Sequence, residues 1–151
     1  MKYFFVLVLA ASVFFSGCST VKPPPFNEQT DEFKIETAVI GYMLERPVWK
    51  PGEYGAIFLK GDDDEVAALI RRFPNHEPPI RPSDRVMLQP NRTPIDKDTG
   101  RPAIILSADV PESFGGEAEA LGQWYAGPAV TGHYVFKLKK VGEEWKIESA
   151  Q

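Results

Sequence analysis

A single cysteine, Cys18, occurs in the 151 residues. That scarcity excludes an intrachain disulfide and a cysteine-built zinc or iron–sulfur site. Histidine is almost as rare, with only His76 and His133, so a zinc site would need two or more carboxylates brought in from elsewhere. Excess positive charge is also missing: 17 Lys and Arg against 21 Asp and Glu leave a net charge of −4. Such a balance argues against a nucleic-acid partner and against a polybasic membrane-surface patch. No Ser/His/Asp or Cys/His grouping and no phosphate-cradling glycine loop stands out. No apolar run reaches the ~20 residues that cross a bilayer comfortably.

What the chain does have begins at its first residue. Met1 and Lys2 make a short positive start, and Tyr3 to Phe15 form an apolar run of 13 residues, the length of a secretory leader core. The following Phe15-Ser16-Gly17-Cys18 resembles the lipobox of bacterial lipoproteins. That resemblance implies cleavage between Gly17 and Cys18 and acyl chains on Cys18 that hold the mature protein on a membrane. Ser19 in place of Asp after the cysteine implies the outer membrane, facing the periplasm, in a cell with two membranes. Loss of Lys2 with the leader would take the net charge to −5. Mature Cys18 would then offer no thiol chemistry.

Ser19 to Gln29 include Pro23-Pro24-Pro25 and read as an extended spacer. The expected organisation is therefore a signal peptide over 1–17, a lipidated cysteine with Pro-rich tether over 18–29, and one domain over 30–151. Thr30 is a fitting N-cap for a helix with Asp31 and Glu32 in its first turn, apolar over much of its circumference through Phe33, Ile40, Met43 and Leu44, and stopped by Pro47. Tyr54 to Lys60 alternate as a strand. Gly61 to Pro74 read as a second helix, with Asp62 and Glu65 at capping-box spacing and Val66, Leu69, Ile70 and Phe73 on one stripe. Pro78, Pro79 and Pro82 keep the next stretch irregular. Strands are expected over Arg85–Gln89, Pro102–Val110, Glu117–Tyr125, His133–Lys140 and Trp145–Ser149. This order predicts an α+β fold, a curved antiparallel sheet of about five to six strands with two helices on one face.

Few positions suggest chemistry. Asp96, Asp98 and Gly100 have the spacing that opens a calcium loop, but the later oxygen ligands and bidentate Glu are missing, and the same residues suit a tight turn. Asp62-Asp63-Asp64-Glu65 is better explained as a helix start than as a cation trap. Trp124, Tyr125, His133 and Tyr134 flank a hairpin with a small, glycine-containing loop. Trp124, Tyr125 and His133, with Asp109 from the preceding strand, are the candidate ligand-binding residues, although aromatics on sheets more often belong to a core.

The stretch Arg72-Phe73-Pro74-Asn75-His76-Glu77-Pro78-Pro79-Ile80-Arg81, with Asp96 to Gly100 and Gln123 to Gly127, resembles small exported bacterial proteins that have no activity to carry over. The element order is similar to NTF2-like and cystatin-like domains, which implies an architecture and no mechanism. The expectation is a lipid-anchored cell-envelope protein acting as a non-enzymatic binding or interaction module, without cofactor or metal. Its membrane partner would be reached through the N-terminal lipid, and a second partner would be an envelope protein or small ligand. Alternatives are a small-molecule-binding domain or small enzyme with a cavity between sheet and helices, and an immunity or inhibitor protein.

Overall fold

The computed structural model describes residues 25–50 and 52–151. The leader, the Gly17–Cys18 cleavage site and most of the spacer lie outside the described residues. Helix α1 spans Asp31–Glu45, and Thr30 caps it, its Oγ1 accepting from the Phe33 N–H at 3.3 Å. Asp31 has a further use: Lys140 Nζ donates to both of its oxygens at 2.9 and 3.0 Å, and Trp145 Nε1 donates at 3.0 Å. Those donors, Lys140 foremost, hold the Asp31 carboxyl below its usual range and pin the helix start to the last hairpin.

Strand β1 spans Ala56–Leu59, helix α2 Asp63–Arg72 and strand β2 Ile80–Pro82. The capping box expected at Asp62 does not form, since the Asp62 side chain makes no cap hydrogen bond. Glu65 is turned instead toward Glu36 of α1. The Pro-rich stretch expected to be irregular holds the three-residue β2, which pairs in parallel with β1, Ile57 opposite Ile80. Pro82 is tolerated there because β2 is an edge strand and needs few donors.

A short hairpin follows, β3 Val86–Leu88 with β4 Pro94–Asp96, and then four long antiparallel strands: β5 Ala103–Phe114, β6 Glu117–Tyr125, β7 Thr131–Val141 and β8 Glu144–Ala150. The main sheet runs β2-β1-β5-β6-β7-β8. It is mostly antiparallel, but β1 is parallel to both neighbours: the α2 crossover returns the chain to β2 in the same direction, and the connection through the β3–β4 hairpin returns it to β5 on the other side of β1.

Both helices cover one face of the sheet. Phe33, Val39 and Met43 of α1 and Val66 and Leu69 of α2 share one core with Ile57, Leu59, Leu106, Phe136 and Leu138. Gly122 of β6 brings α1 close: a Cβ there would sit 2.7 Å from the Phe136 ring and 2.9 Å from Met43 Sδ. The opposite face is roofed only at its β1–β5 end, where Val86 of the hairpin packs on Ala56, Phe58 and Ala103. This two-sided cover buries all four residues of β1, which the alternating pattern alone would have left half-exposed. Over β5 to β8 the second face is open.

On the spacer side of the boundary drawn from sequence, Phe26 packs edge-on against Phe33 at 5.2 Å. Glu28 receives Arg71 and Arg72 at 2.6 and 2.9 Å.

Candidate functional site

Strand register builds the open face in rows, because partners across neighbouring strands share a side of the pleat. The first row is Ile105–Tyr125–Thr131, the second Ser107–Gln123–His133 and the third Asp109–Leu121–Val135. Glu119 lies opposite Lys137, and Glu117 opposite Lys139. Beside the roofing hairpin, the first two rows and Lys60 line an open groove of about 700 Å³. Its lining mixes the polar groups of Lys60, Ser107, Gln123, Thr131 and His133 with apolar surface from Ile105 and the Tyr125 and Trp124 rings.

Of the four residues singled out from sequence, His133 and Tyr125 line this groove directly. His133 is exposed and lies in register with Gln123. The Tyr125 hydroxyl is already engaged, donating to the Arg92 carbonyl at 2.8 Å and tying the β3–β4 hairpin to the sheet. Trp124 borders the groove, but its side of the strand belongs to the helix-covered face, where it lies 5.1 Å from Tyr134 among the packed aromatics. Asp109 sits one row beyond Ser107 and is not part of the groove. Ser107 Oγ donates to Gln123 Oε1 at 3.4 Å, so no base is positioned on the hydroxyl.

Asp109 borders a second, smaller cleft of about 210 Å³ with Glu32, Glu36 and Glu65. Glu36 is 6% exposed and projects from α1 toward α2. Burial, and then the charge and hydrogen bond of Glu65, push its carboxyl up to about 8. Near neutrality Glu36 therefore keeps its proton, because burial and the neighbouring Glu65 make its charged form costly. Sequence reading passed over Glu36. The available signal was its position within the apolar stripe, between Phe33 and Val39.

The Asp96–Gly100 turn is closed by its own side chains. Asp96 accepts from the Asp98 N–H at 3.0 Å and from Thr99 Oγ1 at 2.8 Å, and Gly100 takes φ +69°. The carboxylates that a calcium loop would use face a guanidinium: Arg81 Nη1 lies 3.1 Å from Asp96 and 3.1 Å from Asp98. Among the described residues no group of three or more His, Cys, Asp or Glu side chains is arranged to hold a metal ion, and no helix is long and apolar enough to cross a membrane. Comparison with protein-family models, with curated proteins and with solved structures finds no match to this chain.

Proposed function

We propose that this protein is a lipid-anchored component of a bacterial cell envelope whose domain is a non-enzymatic binding module. The anchor rests on the leader and the Ser16-Gly17-Cys18 motif. In a two-membrane cell, Ser19 favours the outer membrane with the domain in the periplasm. Cys18→Ser should leave uncleaved, unlipidated precursor, read as a larger mass and loss of the acyl adduct. A variant processed and membrane-held like its parent would end the lipoprotein reading.

One observation carries the binding role: the second face of the sheet is left open over β5 to β8 and holds a groove of side chains without a nucleophile–base pair. Amide, hydroxyl, imidazole and a single lysine suit a neutral polar or anionic ligand better than a cationic one. Ser107→Arg fills the groove from a half-buried strand position on its floor. Material that co-purifies with the lipidated parent from its native envelope should be reduced about tenfold with Ser107→Arg, a loss of roughly 1.4 kcal/mol. Equal retention by both proteins would remove the groove from consideration.

A second reading, a small enzyme, is favoured by the raised carboxyl of Glu36, which could serve as a proton donor. Against it, the cleft is lined by further carboxylates with Ala108 and Val110, a poor environment for orienting a substrate.

A further inference from the structure

We infer that one end of the domain rests on the lipid surface, through Phe114 and Val141. This rests on the reading of Cys18 as the acylated residue. Three parts of the fold converge at that end. The β5–β6 hairpin tip lies beside β7, Glu117 opposite Lys139 and the Lys140 N–H on the Gly116 carbonyl at 2.8 Å. The β7–β8 tip, Val141 opposite Glu144, is the next turn along. The start of α1 joins both, because Asp31 is held by Lys140 and Trp145 and Lys34 lies 3.7 Å from Glu143. Helix α1 thus begins at this end, and the few residues before it cross toward α2, where Arg71 and Arg72 hold Glu28.

Each hairpin tip carries an apolar side chain the fold leaves uncovered. Phe114 is 91% exposed and Val141 52%, whereas Phe26 is packed on Phe33. Phe114 precedes Gly115-Gly116 in a two-residue turn whose positive φ values, +62° and +82°, are supplied by the glycines alone. A polar residue at 114 would serve that turn equally well, so the phenylalanine is unexplained by folding.

Chain length limits what these side chains can meet. Six residues lie between Cys18 and Pro25, a span of at most about 25 Å when fully extended. A domain of this size is roughly 35 Å across, so the lipid surface stays nearer this end than the loop at 126–130. Close tethering gives an effective concentration of about a millimolar, and weak apolar contact then suffices for docking. Charge does not draw this end to an anionic surface: Lys140 and Lys34 are matched by Asp31 and Glu143, Lys139 faces Glu117, and Glu32 and Glu144 add negative charge, so the contact has to be apolar.

The test uses the full-length gene product, lipidated by its host, in phosphatidylethanolamine/phosphatidylglycerol vesicles containing a phospholipid with a diazirine in its acyl chain. After irradiation, lipid adducts should concentrate on peptides covering 113–117 and 141–144, about fivefold above 126–130. F114S combined with V141S should cut them about threefold at unchanged melting temperature, as expected when apolar area leaves the contact. Labelling spread evenly, or undiminished in the double variant, overturns the inference. The mass of Cys18 in the same sample separates the two ideas. An acylated cysteine without adducts means a domain hanging free on its tether, and an unacylated one removes the anchor and the docking together.

Discussion

Arg81→Met should lower stability by about 3 kcal/mol, the cost of leaving a buried carboxylate without its counter-charge. Asp96 is fully buried, whereas Arg81 is 30% exposed on its side-chain surface, which places the effect at the low end for a broken buried pair. Burial works against the Asp96 charge, but hydrogen bonds from Thr99 and the Asp98 N–H, with the Arg81 charge, outweigh it and hold the carboxyl below its usual range. Its folded value thus lies under the unfolded 3.8. The stabilisation is complete above pH ~4 and is lost as pH falls through the folded value. Because the pair joins β2 to the β4–β5 turn, its loss should loosen the hairpin that roofs Phe58. Asp98→Ala removes only the half-exposed partner and should cost about 0.5 kcal/mol. Urea melts of both variants at pH 7 check the order; equal losses would show that the buried carboxylate is not what Arg81 sustains.

Glu36→Gln should have the opposite sign, raising stability by about 2 kcal/mol at pH 8.5 and by almost nothing at pH 5. The folded carboxyl titrates at about 8 and the unfolded one at 4.5, so between those values the folded protein keeps a proton that the unfolded chain has released. Stability from this group is complete below pH ~4.5 and is lost as pH rises through 8. Glutamine mimics the protonated acid at every pH. Glu65→Gln should recover part of the same gain, since one neutral partner removes the repulsion between α1 and α2. Melting temperatures of parent and variants across pH 5–9 provide the check, and parallel curves would show that Glu36 is ionised without penalty.

The elements that were legible in the sequence are those determined by local rules. Thr30 caps α1 because a hydroxyl three residues before a free N–H suffices, and Gly115-Gly116 and Gly142 mark hairpin turns because only glycine adopts their backbone cheaply. The alternation of Trp145 and Ile147 with Lys146 and Glu148 already contained the orientation of β8. Local spacing misled at Asp62 and Glu65, where a neighbouring acid on another helix redirected the side chain. It misled again at Ile80–Pro82, where three prolines within five residues concealed an edge strand.

The candidate sites were less legible, because each depends on residues far apart in the chain. Nothing near His133 says that Ser107 and Gln123 lie in its row; the register of three strands decides that. Asp109 and His133 looked like partners because both belong to neighbouring hairpins, yet the register places Asp109 one row away and beside a different cleft.

By itself the sequence determined where the chain bends, which of the longer segments coil or extend, and the leader motif on which the anchor proposal depends, for those follow from short-range sterics, hydrogen bonding and residue order. Only the tertiary structure decided that β1 and β2 join the sheet in parallel, that Asp96 meets Arg81, that Glu36 loses its water, and that one sheet face stays open. Those outcomes are set by which surfaces exclude solvent from one another, a property of the assembled chain that no local window contains.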